Sequence, residues 1–130
     1  MLNVGYCRVS TEEQASEGYS IEGQAEKLRT YAQLHDLGAV RIISDPGLSA
    51  KSLDRPGLDE VRSLVAGREI ANVLVWRLDR LSRSVEDCWR LVHEFEEAGV
   101  RLRSLNEEID LTSASGRMFF TVTGAFVDAA

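Results

Sequence analysis

Apolar and polar positions follow two rhythms along this chain, one with a period of two and one near 3.6, and they take turns. Residues 3–9 form a short run rich in Val, Tyr and Cys, suited to a strand covered on both faces. A polar stretch, 10–20, follows. Ile21, Ala25, Leu28 and Ala32 then step at helical spacing, with Gly38 placed as the stop. Residues 39–44, carrying Val40, Ile42 and Ile43, return to strand character, and 45–54, with Pro46, Gly47 and several serines, read as a loop. Pro56 sits where a first helical turn begins, as its fixed φ favours. Leu58, Val61, Leu64 and Val65 supply an apolar face that Gly67 ends.

The alternation continues. Residues 70–76 (Ile-Ala-Asn-Val-Leu-Val-Trp) make a third strand, and 77–83 a polar segment. Ser84, with Asp87 three positions on, resembles a capping box opening a helix that turns Val85, Cys88, Trp89, Val92 and Phe95 inward, and Gly99 closes it. Val100, Leu102 and Ser104 alternate with Arg101 and Arg103, as in a strand with one wetter face, and 109–111 add a short last strand. Strands separated by helices predict a mainly parallel sheet with helices on both faces. Residues 117–130 read differently. Met118, Val122, Ala125, Phe126 and Ala129 line one side of a helix, while Phe119, Phe120 and Val127 lie off it. Such a helix needs more than one partner surface, and it is expected to continue beyond residue 130 and to join a subunit interface; a central core helix of a monomer is the alternative.

Length and composition narrow the class. The 130 residues fit one domain, 1–130, with 44% apolar and 28% charged residues, an ordinary globular balance. There is no run of 18 apolar residues and no basic leader, so the expectation is a cytoplasmic protein without a membrane span. Cys7 and Cys88 read as two small buried side chains, and His35 and His93 lack the close spacing of zinc ligands, so no metal site or cofactor is expected. A net charge of −6 argues against a general nucleic-acid coat, unless the DNA-gripping part lies elsewhere in a longer protein.

In open α/β sheets, sites gather at the carboxyl ends of the strands. Three such ends carry polar groups: Arg8-Val9-Ser10-Thr11, then Asp45 with the loop closing on Asp54-Arg55, then Arg77-Leu78-Asp79-Arg80-Leu81-Ser82-Arg83. A parallel sheet would bring them to one rim, where a hydroxyl nucleophile meets several guanidiniums. Fixed cations stabilise a phosphodiester gaining negative charge, and Arg does so bidentately without losing its own charge. Plainer readings stay open at each position. Ser10-Thr11 also fits a turn cap, Asp79 and Arg80 a surface ion pair, Arg77 and Arg83 solvated side chains, and Gln14 and Gln24 ordinary helix or loop residues.

The segment Tyr6-Cys7-Arg8-Val9-Ser10-Thr11-Glu12-Glu13-Gln14 resembles the opening signature of the resolvase/invertase family of serine site-specific recombinases. Ser20-Ile21-Glu22-Gly23-Gln24 resembles its second block in the longer spacing of large serine integrases and transposon recombinases. Leu53-Asp54-Arg55-Pro56-Gly57-Leu58 resembles the third block, 77–83 the fourth, and 116–130 the start of a long dimerisation helix. The resemblance implies a resolvase-like three-layer α/β/α sandwich on a mixed, mainly parallel five-stranded sheet with the last strand antiparallel. It implies Ser10 as the nucleophile that joins the 5′ phosphate of cut DNA, with Arg8, Arg80 and Arg83 around the scissile phosphate and Arg55 assisting. Asp79 would orient an arginine or help with protons on the leaving oxygen, and Gln24 would support the site by hydrogen bonding. It further implies catalysis without metal or ATP and double-stranded DNA as substrate, gripped mainly by a C-terminal domain absent from this chain. The homodimer and tetramer would form through 117–130. Two rival readings are a metal-free phosphoserine-forming nuclease or phosphatase, and a non-catalytic flavodoxin-like phosphate-binding domain. The apolar helix at 118–127 disfavours the first. Arg8 and Ser10, standing where a receiver domain would place acids, disfavour the second.

Overall fold

A computed structural model of the chain describes residues 2–9, 20–46, 55–82, 84–116 and 118. Five strands form one sheet: β1 (Leu2–Val9), β2 (Val40–Pro46), β3 (Ile70–Val75), β4 (Arg101–Ser104) and β5 (Ile109–Asp110), in the order β2-β1-β3-β4-β5. The first four are parallel, and β5 runs antiparallel beside β4, pairing Arg103 with Asp110 and Ser104 with Ile109. Three helices connect the parallel strands: α1 (Ile21–Leu34), α2 (Pro56–Ala66) and α3 (Val85–Glu97). The α/β layering expected from the alternation is the observed one.

The chain leaves β1 towards one sheet edge and then returns past β1 to β3, so the covering helix changes face with that reversal. On one face Val61 and Val65 of α2 and Leu91, Val92 and Phe95 of α3 pack with Val4, Tyr6, Val73 and Val75. On the other, Ala25, Leu28 and Ala32 of α1 meet Cys7 and Leu74. The two cysteines, both free and buried, therefore belong to cores on opposite faces of the sheet. Burial pushes the Cys7 thiol up to about 12 and the Cys88 thiol up to about 11. Among the described residues no helix is long and apolar enough to cross a membrane.

Helix ends show where the local signals work and where they mislead. Ser20 and Ser84 cap α1 and α3, their side chains accepting from the backbone N–H of Gly23 and Asp87. After α3, Gly99 takes φ +75° and Val100 N–H reaches back to the carbonyl of Phe95 at 2.9 Å. The other two helices close with the same reach-back bond but without glycine in the left-handed position. Asp36 (φ 54°), two residues past the last helical residue of α1, and Arg68 (φ 55°), next to the Gly67 that caps α2 as the sequence suggested, take that position, and Gly38 has a positive φ (92°) farther on. The strand β2 also runs on through Asp45 and Pro46, which the composition assigns to the loop. Parallel pairing of Asp45 with Arg8 and of Pro46 with Val9 extends it. The apolar segment 119–130 lies outside the described residues. Residues 114–116 are helical, and Met118 is 71% exposed.

Candidate active site

Strands β1, β2 and β3 present their carboxyl ends side by side, at the point where the chain reverses direction across the sheet. Arg8 is next to last in β1, Asp45 stands beside it on β2, and β3 leads into a single 3-10 turn, Leu78–Arg80. Arg55 immediately precedes α2. Arg8, Arg55 and Arg80, three of the largest fully buried side chains described, come together here with relative exposures of 0%, 1% and 1%. An unpaired cation buried in this way would cost several kcal/mol, so its partners decide whether the arrangement can exist.

Those partners include carbonyl oxygens of the turn. Arg8 Nε donates to the Arg80 carbonyl at 3.2 Å and its Nη2 to the Asp79 carbonyl at 3.0 Å. Arg80 Nη1 returns the bond to the Arg8 carbonyl at 3.0 Å, which locks the two guanidiniums together. Arg55 Nη1 donates to the Arg80 carbonyl at 3.1 Å and its Nη2 to the Leu81 carbonyl. A carbonyl satisfies an N–H group without cancelling the charge behind it. Asp79, whose side chain is 33% exposed, does carry charge: its Oδ1 accepts from Arg80 Nε at 3.0 Å and its Oδ2 from Arg77 Nη2 at 2.7 Å. Asp79 and Arg80, open to the reading of a surface ion pair in the sequence, thus pair at the buried cluster, and Arg77, open to the reading of a solvated side chain, joins the same carboxylate.

Gln24 is fully buried at the start of α1. Its Oε1 accepts from the Arg8 backbone N–H at 3.3 Å and its Nε2 donates to the Arg8 carbonyl at 3.0 Å. One amide side chain thus brackets both polar groups of the peptide two residues before Ser10, and fixes how β1 ends. Five of the seven residues singled out in the sequence, Arg8, Gln24, Arg55, Asp79 and Arg80, meet at this rim. The other two, Ser10 and Arg83, lie outside the described residues.

Two further members, Tyr6 and Asp45, were visible in the sequence but given no role there. Tyr6, buried on β1, donates its hydroxyl to Asp45 Oδ2 at 2.7 Å and accepts from Arg55 Nη1 at 3.0 Å, with the Arg55 guanidinium carbon 5.7 Å from its ring centre. Burial, opposed by Arg55 and reinforced by Asp45, holds the Tyr6 phenol well above its ordinary range, so it keeps its proton. Asp45 also accepts from the backbone N–H groups of Gly57 at 2.7 Å and Leu58 at 2.9 Å. It caps α2 from another strand, because Arg55 at the N-cap position offers no side-chain acceptor. The approach requires glycine at 57, where an added Cβ would lie 2.8 Å from Asp45 Cγ, Asp45 Oδ2 and the Ser44 carbonyl. A helix beginning Arg-Pro-Gly, with no capping side chain of its own, was the available signal that an acceptor must come from elsewhere.

Known proteins share this pattern. Residues 3–129 match the family described as resolvase, N terminal domain. The chain is 36% identical to the transposon Tn552 resolvase of Staphylococcus aureus over 98% of this chain and 58% of the relative. It is 38% identical to the serine recombinase gin of Escherichia phage Mu over 96% of this chain and 58% of that protein. It thus spans less than two thirds of the length of these relatives. The crystal structure of the N-terminal catalytic domain of TP901-1 integrase superposes with a TM-score of 0.86 at 38% identity, covering 98% of this chain and 95% of that one. With the fold, the ordered sequence blocks and a match over nearly every residue in agreement, the chain belongs to the resolvase N-terminal domain family of serine recombinases.

Proposed function

We propose that this chain is the catalytic domain of a cytoplasmic site-specific DNA recombinase that cuts and rejoins double-stranded DNA through a 5′-phosphoserine intermediate on Ser10. The observation that carries the reading is the group of three buried guanidiniums, Arg8, Arg55 and Arg80, brought together on carbonyl oxygens of one turn at the end of the strand that leads to Ser10. Such a site keeps positive charge in a place of low dielectric, where it acts most strongly on a phosphoryl group gaining negative charge.

In this reading Ser10 Oγ attacks phosphorus and the bond from phosphorus to O3′ breaks. The serine proton leaves, O3′ takes up one proton, and the phosphodiester becomes a phosphoserine ester of similar energy. Rejoining runs the same step backwards from another 3′ hydroxyl, so no ATP is consumed. Arg8 and Arg80, with Arg83, hold the non-bridging oxygens, and Arg55 adds charge from behind. The guanidiniums supply the positive charge that metal ions supply in other phosphoryl transfers. Both Asp79 oxygens already accept from arginines, which favours its role as an orienting group over that of a proton carrier. Gln24 holds the backbone of Arg8, two residues before Ser10 in sequence. The assembly is a homodimer that pairs into a tetramer through 117–130, and a C-terminal domain grips the DNA.

The test is an incubation of the protein, extended by its C-terminal DNA-binding region, with DNA bearing its recombination site in excess chelator, followed by denaturation. Protein attached to a DNA 5′ end, lost in Ser10→Ala, is the expected result. Arg80→Lys should lower the yield at least tenfold, since a point charge cannot reproduce a planar fork. Cleavage that needs added metal and leaves free ends would overturn the reading in favour of a nuclease.

A further inference from the structure

Beside the buried arginines, two cations share one aromatic ring at the same rim. Trp76 follows β3 directly and is only partly buried. The ammonium of Lys27, on α1, stands 5.5 Å from the centre of one of its rings, and the guanidinium carbon of Arg77 lies 5.4 Å from it. Cations gain from the face of an indole, yet two of them on one ring also repel each other. The chain as a whole carries a net charge of −6, and these two cations stand on one side chain at the rim. It is also continuous with the site: Arg77 donates to Asp79, and Asp79 accepts from Arg80.

We infer that Lys27, Trp76 and Arg77 form a docking surface for the DNA backbone, receiving a phosphate that flanks the one to be cut. The inference rests on the DNA reading given above and adds a contact outside the group of residues assigned to chemistry. Charge complementarity identifies the occupant. Lys27 is exposed and Arg77 is partly so, with its side chain 31% accessible, and a phosphodiester adds an anionic partner for Lys27 beside the carboxylate that Arg77 already holds. Trp76 fixes where the two cations stand. It supplies a flat apolar floor that carries no sequence preference, as suits a contact that positions the duplex without reading it. The Arg77–Asp79 pair then ties the position of that flanking phosphate to Arg80.

The experiment follows the chain's backbone and indole NMR signals while a short DNA duplex is added at low salt, for the native sequence, Lys27→Gln and, as a control, Arg41→Gln. Arg41, an exposed arginine of β2 paired with Glu60 of α2, lies on the edge strand, with β1 between it and the strand that leads to Trp76. The Trp76 indole N–H signal should move on addition of DNA while that of Trp89, on α3, stays in place. Lys27→Gln should weaken binding about threefold and reduce the slope of log affinity against log salt by about one, whereas Arg41→Gln should change neither. An unchanged slope in Lys27→Gln, shifts centred elsewhere, or no binding at low salt would each overturn the inference. The covalent adduct on Ser10 is read separately, so the docking surface can fail while the recombinase reading stands, and the reverse.

Discussion

Replacing Gly57 by Ala isolates the unusual cap of α2. The substitution would help an ordinary helix, by up to about 1 kcal/mol of propensity. Here the new Cβ would meet Asp45 Cγ, Asp45 Oδ2 and the Ser44 carbonyl, all at 2.8 Å. Ser44 belongs to β2 and cannot move without disturbing the sheet, so the Asp45 carboxylate or the start of α2 must shift. Overpacking of this kind costs about 1–3 kcal/mol, and loss of one charge-assisted bond from Gly57 or Leu58 adds roughly 1.5–3 kcal/mol. With the propensity gain subtracted, the expected loss is about 1.5–5 kcal/mol, at roughly 3 °C of melting temperature per kcal/mol for a domain of this size. Urea unfolding measures it, with Gly67→Ala as the control, because there an added Cβ has nothing nearer than 3.5 Å. Combining Gly57→Ala with Asp45→Ala should give less than the sum of the two losses, since removing the carboxylate removes part of the clash. If Gly57→Ala proved as stable as Gly67→Ala, or the double variant were strictly additive, the account of Asp45 as a remote cap would be wrong.

Three further outcomes are expected. Tyr6→Phe removes a donor to Asp45 and an acceptor for Arg55, so it should lower stability by about 1–3 kcal/mol and reduce covalent adduct formation, both measurable on one preparation. Arg68→Gly should stabilise the fold by up to about 1 kcal/mol in urea unfolding, because φ 55° strains any residue with a Cβ; a loss of stability would show that the Arg68 side chain contributes more than the strain. The thiols give a pH dependence of definite sign. Their folded values, about 12 for Cys7 and about 11 for Cys88, lie above the ordinary thiol value, so their contribution is complete below about pH 8.5 and declines as pH rises towards 11–12. At neutral pH both should resist a thiol reagent until denaturant is added, and rapid labelling of the native chain would contradict their burial.

Much of the architecture was legible because it is written in local periodicity. The alternation of apolar runs located all five strands and three helices, and Pro56, Ser20 and Ser84 marked helix starts with groups that act within one turn. Helix stops were less legible. Gly67 does cap α2 and Gly38 does take a positive φ past α1, but the left-handed residue next to each helix end is Asp36 or Arg68, because the bonds reaching back to Ala32 and Leu64 fix the position and not the residue type. Asp45 was assigned to a loop for the same kind of reason. Its strand character comes from pairing with Arg8, 37 positions away, and not from its neighbours in sequence.

The sequence alone determined the class of fold, the order of its elements and the polar clusters at three strand ends, since each depends on spacing within a short window. It also carried, in ordered blocks, the resemblance to a family to which the chain does belong. Only the tertiary structure decided what those polar groups do to one another. Arg8, Arg55 and Arg80 could have been solvated, yet the crossing of α2 back past β1 buries them against the carbonyls of one turn. Asp45 could have been a turn residue, yet the absence of a side chain at Gly57 admits it to the start of α2 and to Tyr6. Burial and hydrogen-bond partners are set by groups far apart in the chain, and no local pattern encodes which of them will meet.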